Sequence, residues 1–379
     1  LTGTVHLPRV LVVMGTRPEA IKLAPVVAAL RRQGRLRPVV VATSQHREML
    51  AQALEPFALE PHVDLDLMTP DQTATRIASR VLAALEPVID EHEPVWTVVQ
   101  GDTTSAFAAA MASFYAAVPV AHVEAGLRTG CMHAPFPEEF NRRGITVAAD
   151  LHFAPTEWAR DNLLREGVAD DQIEMVGNTV VDAVHRILAE RPARERGDDR
   201  SLVLMTLHRR ESFGEPMARI LRAVQRLAGS CRGRLRLVYP VHPNPNVRRV
   251  AREVLRDVPG VELVRPLDYP RFLELYRRAR FVMTDSGGVQ EEAAAVGTPV
   301  LVLRDVTERP ELIEAGWGCL VGTDPERVLT EARRLLDDDE ALRAMTRSPN
   351  PFGDGQSGER IATALARSRG RRVDGSKCG

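Results

Sequence analysis

The stretch RVLVVM-GTRPE-AIKLAPVVAALRRQ, residues 9–33, reads as a strand, a turn and a helix in immediate succession. Residues 9–14 are an apolar, β-branched run. From 20 to 33, Ile21, Leu23, Val26, Val27 and Leu30 recur near a 3.6-residue period, the mark of a helix with one buried face. Gly15 allows the tight strand-to-helix turn, and Pro18 suits a first helical turn. The turn is neither a Walker A loop nor a Gly-x-Gly-x-x-Gly, so ATP and NAD are poorly supported. Arg17 and Lys22 instead place two cations at a helix N-terminus, whose dipole already favours anions.

The same unit repeats along the chain. Further strands are expected at 39–43, 96–100, 118–123, 152–155 and 173–176, then at 202–206, 235–240, 261–263, 281–284 and 299–303, with helical patterns between them. Strands alternating with helices predict an α/β fold built on parallel sheets. Residues 188–200, LAERPARERGDDR, are charged, broken by Pro192 and Gly197, and read as a linker. The expected organisation is two Rossmann-like domains, 1–190 and 201–367, facing across a cleft, with a disordered tail at 368–379. At 379 residues and 44% apolar content the chain can bury two cores.

A net charge of −1 gives no global field for nucleic acid or an anionic membrane, and no apolar run approaches a membrane span. Only Lys22 and Lys377 among 50 basic residues are lysine, a bias that fits arginine-rich coding. Cys131, Cys231, Cys319 and Cys378 are widely spaced with no Cys-x-x-Cys pair, which argues against zinc. The first strand starts almost at once, leaving no room for a signal peptide before it, so a reducing cytoplasmic setting is expected.

In sheets of this kind ligands gather beyond the carboxyl ends of strands. There the sequence places Gly101-Asp102-Thr103, then Glu124-Ala125-Gly126-Leu127-Arg128, then Pro137-Glu138-Glu139-Phe140-Asn141-Arg142-Arg143. Asp102 also fits a helix cap. Three carboxylates converging on one sheet edge, however, raise each other's pKa unless cations offset them, and Arg128, Arg142 and Arg143 are near in sequence. In the second half His208 follows a strand, placed for a diphosphate contact or proton transfer, and His242 repeats the pattern. Asp285-Ser286-Gly287-Gly288 lies between a strand and a helix; its glycines let backbone N–H groups approach a phosphate, and Glu292 is spaced to take ribose hydroxyls.

Together these blocks resemble the non-hydrolysing UDP-N-acetylglucosamine 2-epimerase family: Gly15 to Glu19, Gln100-Gly101-Asp102, His122 to Thr129, Pro137-Glu138-Glu139 with Asn141-Arg142, His208 to Ser212, Tyr239 to Asn244, Thr284 to Glu292, and Arg304-Asp305 with Thr307 to Glu311. They run in family order from residue 10 to about residue 358. The resemblance implies a glycosyltransferase B-type fold, a homodimer, a cytosolic location, and neither metal nor nicotinamide cofactor. It implies Asp102, Glu124, Glu138 and His208 as catalytic residues. Substrate contacts carry over onto Arg17, Lys22, Arg142, Phe272, Ser286, Gly287, Gly288, Glu292 and Arg309; Phe272, which would pack on uracil, and Arg309 come from the resemblance alone. Several relatives bind a second UDP-GlcNAc as activator through a Gln-His-Arg-Gln stretch and a later arginine. Here the stretch is Gln45-His46-Arg47-Glu48, and Asp71 matches the arginine, so weak or absent activation is expected.

The chemistry expected is UDP elimination to a glycal and re-addition. The C2 proton is barely acidic, and no electron sink is visible. Expelling UDP first is easier, because cations and a helix N-terminus stabilise the diphosphate, and carboxylates stabilise the oxocarbenium character left behind. Inversion needs acid/base groups on both faces of C2. A hydrolysing relative would release free N-acetylmannosamine. A glycosyltransferase would need an acceptor surface, of which the sequence carries no sign, and a sensor would need no carboxylate cluster.

Overall fold

The computed structural model describes residues 7–43, 47–67, 69, 72–191, 200–209 and 212–368. Most of the expected linker, all but Ser368 of the expected tail, and Gln45, His46 and Asp71 lie outside these residues. The chain divides into two units, one running to Ala183 and resuming at Gly353, the other Val184–Phe352.

The first unit carries β1 (Arg9–Met14), β2 (Arg37–Ala42), β3 (Val63–Asp64), β4 (Trp96–Gln100), β5 (Val120–Val123), β6 (Leu151–Ala154) and β7 (Ile173–Met175), in the order β3-β2-β1-β4-β5-β6-β7. Every pairing is parallel. Val10 to Met14 are at most 1% exposed, because helices cover the sheet. The second unit carries β8 (Ser201–Thr206), β9 (Leu235–Pro240), β10 (Val261–Val264), β11 (Phe281–Thr284), β12 (Val300–Val302) and β13 (Gly318–Leu320), in the order β10-β9-β8-β11-β12-β13, again all parallel. Each unit is a Rossmann-like α/β domain, as the alternation of elements predicts.

The order of each sheet reverses direction once: between β1 and β4 in the first unit, and between β8 and β11 in the second. Loops leaving the carboxyl ends of such a pair diverge and open a ligand crevice. The two switch points therefore collect the loops after Met14, Gln100, Thr206 and Thr284. At the first, Gly15 is required by close packing: a β-carbon there would lie 2.3 Å from Thr43 Oγ1.

The domain boundaries differ from expectation at both ends. Helix Thr179–Ala189 runs across the division at residue 183, so the first unit stops short of 190. Helix Ser357–Arg367 belongs to the first unit, not the second, because it packs along helix Arg17–Gln33. It buries Ile361, Ala362 and Leu365, and its first N–H groups donate to Asp182, at 3.2 Å from Ser357 and 2.8 Å from Gly358. β3 and β13 were not expected. Both are edge strands of two or three residues, held by pairing with β2 and β12 rather than by any periodic signal of their own.

Candidate functional site

The first switch point gathers carboxylates, each with a different neighbourhood. Thr16 is the N-cap of helix Arg17–Gln33, and Glu19, three residues on, reaches back to its N–H. Glu19 is buried, and its carboxylate accepts from the N–H groups of Gly15 (2.9 Å) and Thr16 (2.6 Å) and from the Thr103 hydroxyl (2.7 Å). Burial pushes its carboxyl up, against these hydrogen bonds, which lower it. Glu19 thus ties the loop after β1 to the loop after β4. It places Arg17 in the helix's first turn and Lys22 in its second.

Lys22 Nζ donates to Glu124 Oε2 at 2.5 Å, and Gln100 Nε2 donates to the same oxygen at 2.6 Å. The Lys22 and Glu124 side chains are 9% and 8% exposed, so this is a nearly buried ion pair. Glu124 has φ +65°, a left-handed conformation that a β-branched or bulky residue rarely adopts, just past the end of β5. Asp102 follows Gln100 by two residues and takes the Arg142 guanidinium through Nε (3.1 Å) and Nη2. Asn141 Nδ2 donates to the Asp102 carbonyl at 2.9 Å.

Arg142 is positioned in turn by Glu139, which is fully buried and also receives Arg143 and the Thr129 N–H. Arg142 and Asn141 dock helix Glu138–Ala148 on the Asp102 turn, while Arg143 pairs with Glu139 within the helix. Glu138 opens that helix, and its i,i+4 relation to Arg142 puts it on the face turned to Asp102. Its Oε2 is buried with no hydrogen-bond partner among the described residues. A buried acceptor without a donor is costly, and this carboxylate oxygen is therefore a candidate contact for a bound ligand. Behind the sheet edge, His122 Nε2 lies 2.8 Å from the Gly101 carbonyl; burial takes the ring down to about 3, so it is the neutral ring that donates there.

The second switch point is cationic. The fully buried Asp285 accepts from the N–H groups of His208 (3.0 Å) and Arg209 (2.9 Å) and from the Ser212 hydroxyl (3.2 Å). His208, with a 37% exposed side chain, stacks on His242 at a ring separation of 5.4 Å. Helix Gly287–Val296 starts here with Ser286 as N-cap, its side chain making no cap bond. A β-carbon at Gly287 would lie 3.6 Å from Arg209 Nη2 and 3.8 Å from Arg309 Nη2. Nothing lies within 4 Å of the corresponding point at Gly288. Backbone N–H groups, a helix N-terminus and two guanidiniums therefore share one place, an arrangement that favours an anion.

The two adjacent acids on this helix part ways. Glu291 is buried and takes Arg309 Nε, fixing that arginine. Glu292 is half-buried and accepts from the Tyr276 hydroxyl at 2.9 Å. Phe272 lies against Tyr276 with ring centroids 4.8 Å apart, one helical turn earlier. An aromatic face and an acid suited to hydroxyls thus lie beside the anion site.

The structure brings together most of the residues the sequence pointed to, within each unit. Arg128 does not join the carboxylate cluster: it pairs with Glu166 at 2.7 Å and 2.5 Å and with Thr146. Arg209 lies within the His208 to Ser212 block, but sequence alone assigns it no role there, since its partners lie 76 to 99 residues away. Among the described residues no group of three His, Cys, Asp or Glu is placed to hold a metal ion, and no helix is long and apolar enough to cross a membrane.

The chain matches the family model described as UDP-N-acetylglucosamine 2-epimerase over residues 28–366. It is 46% identical to the UDP-N-acetylglucosamine 2-epimerase of Escherichia coli K12, across 95% of this chain and 99% of that one. The Bacillus subtilis protein of the same name is 44% identical, across 94% of each. The crystal structure of UDP-GlcNAc 2-epimerase from Neisseria meningitidis bound to UDP-GlcNAc superposes with a TM-score of 0.88 at 39% identity, across 95% of this chain and all of that one.

Proposed function

Because the chain belongs to the UDP-N-acetylglucosamine 2-epimerase family and has its glycosyltransferase B-type fold, we propose that it converts UDP-N-acetylglucosamine reversibly to UDP-N-acetylmannosamine without net hydrolysis. The observation that carries this reading is the carboxylate cluster at the first switch point: Glu124 against Lys22, Asp102 against Arg142, and Glu138 with an unpaired buried oxygen. A protein that only sensed a nucleotide sugar would have no use for it.

In the proposed reaction the second unit holds UDP. Phe272 packs on uracil, Glu292 accepts from ribose hydroxyls, and Ser286, Gly287, Gly288 and Arg309 hold the diphosphate. Arg17, Lys22 and Arg142 add positive charge. His208 acts on the diphosphate or as a proton donor. The C1–O bond breaks with its electron pair going to UDP, as cations and the helix N-terminus stabilise the growing negative charge. One carboxylate removes the C2 proton, giving the glycal. Return of a proton to the opposite face and re-addition of UDP at C1 complete the inversion. Groups on both faces of C2 are needed, and Asp102, Glu124 and Glu138 supply a base, an acid and a charge stabiliser between them.

The homodimer implied by the family has a surface to use. Helices Thr104–Tyr115 and Glu138–Ala148, joined by an edge-on contact of Phe107 with Phe140, expose Tyr115 (72%) and Val147 (87%). An apolar face of this kind is covered more often than left bare. In the cytosol, where we place the protein, Cys131, Cys231 and Cys319 stay as free thiols.

Proton NMR of the purified protein with UDP-N-acetylglucosamine alone tests the function. The epimer appearing beside the substrate supports it. Free N-acetylmannosamine with UDP identifies a hydrolase, and an unchanged spectrum rules out both.

A further inference from the structure

Arg209 follows His208 directly, and two contacts fix where its charge lies. Its N–H donates to the fully buried Asp285 at 2.9 Å. Its guanidinium is gripped by Glu308, Nη1 to Oε1 at 3.1 Å and Nη2 to Oε2 at 3.3 Å. This grip leaves Nη2 3.6 Å from the point a β-carbon would occupy at Gly287, with Arg309 Nη2 3.8 Å from the same point. Two guanidiniums thus flank one helix N-terminus, where the dipole is already positive. Arg304 adds a third cation, 3.7 Å from Glu308.

Among the described residues Arg209, Arg304 and Arg309 meet Glu308 and Glu291, with the buried Asp285 accepting from the Arg209 N–H. Burial pushes the Glu308 carboxyl up, but Arg209, Arg309 and Arg304 hold it at about 2, so it stays ionised at neutral pH. A guanidinium has five N–H donors, and a bidentate carboxylate engages two of them.

We propose that Arg209 is a ligand of the substrate's diphosphate, shared between Glu308 and the phosphate oxygens, and that it stabilises UDP as the leaving group. The inference rests on reading the second unit as the nucleotide-sugar site. It adds to that site a residue held by the chain's own acid until an anion arrives. The competing role is mechanical: an Arg209–Glu308 latch joining the loops after β8 and β12, with no ligand involved.

Calorimetric titration of the full chain with UDP and, separately, with uridine distinguishes the two. Arg209→Ala should weaken UDP by about 10- to 100-fold, the loss of charged hydrogen bonds to phosphate. Arg209→Lys, which keeps the charge without the fork, should fall between this variant and the parent. Uridine should bind all of them equally, and Glu308→Gln should bind UDP at least as tightly as the parent. Unchanged UDP affinity in Arg209→Ala overturns the proposal. So does an equal loss of UDP and uridine, or a loss in Glu308→Gln matching that in Arg209→Ala. Turnover is not read in these titrations, so a failed epimerisation assay refutes the function above without touching this inference, and the reverse holds as well.

Discussion

Glu124→Gln is the substitution with the most to say, because it acts on stability and chemistry by separate routes. The replacement removes the counter-ion of Lys22, whose side chain is 9% exposed and 2.5 Å from the carboxylate. Breaking one half of a nearly buried pair costs about 3–5 kcal/mol, which lowers the melting transition by roughly 6–20 °C in a unit of this size. Lys22→Met,Glu124→Gln removes both charges and should recover most of that loss, since no unpaired ion remains. Turnover should fall by roughly 100-fold or more in Glu124→Gln, the usual loss of an acid/base group. It should stay low at temperatures where melting curves show the variant folded. Circular dichroism melts and NMR assays run at 15 and 25 °C separate the effects. If Glu124→Gln turns over within three-fold of the parent while folded, Glu124 is a counter-ion to Lys22 and no more, and it leaves the catalytic set.

Asp102→Asn and Glu138→Gln should likewise cut turnover by about 100-fold, with UDP affinity by calorimetry little changed; a near-normal rate removes the residue concerned. Glu292→Ala should weaken UDP by about 1.5–3 kcal/mol if it takes ribose hydroxyls. Tyr276→Phe, which deletes the 2.9 Å bond to Glu292 while leaving the carboxylate in place, is the control and should bind UDP nearly as the parent does. His122 and His152 are paired across β5 and β6, and burial holds them at about 3 and about 4. Their lowered values mean that the unfolded chain takes up protons the folded chain refuses. The stability they confer is complete above the ordinary histidine range, near pH 6.5, and is lost as pH falls from there toward 4. Glu19, Asp150 and Asp182, raised by burial, work in the opposite direction, so the test is a difference. In urea unfolding, the advantage of the parent over His152→Asn should shrink by about 2 kcal/mol between pH 7 and pH 5; a constant advantage would mean His152 titrates normally.

The strand–turn–helix unit at residues 9–33 was legible because hydrophobic period, turn glycine and first-turn proline agree there. The same consistency exposed the strand ends at Asp102, Glu124, His208 and Ser286. What stayed hidden depends on partners distant in sequence. Helix Ser357–Arg367 is amphipathic, but nothing in its pattern says that its apolar face belongs on helix Arg17–Gln33, more than 320 residues earlier. Glu19 and Glu139 look like surface or first-turn acids, yet both are buried because backbone and arginine donors satisfy them. Arg209 stands in the His208 to Ser212 block, yet its own contacts appear only when folding brings Gly287, Glu308 and Arg309 around it.

The central claim is that the C2 proton leaves and returns while UDP is detached. Incubating the protein with UDP-N-acetylglucosamine in deuterated water, with no added metal or nicotinamide, and following C2 by NMR tests it most directly. The account predicts UDP-N-acetylmannosamine carrying deuterium at C2. Epimer that retains the original hydrogen at C2 would contradict it.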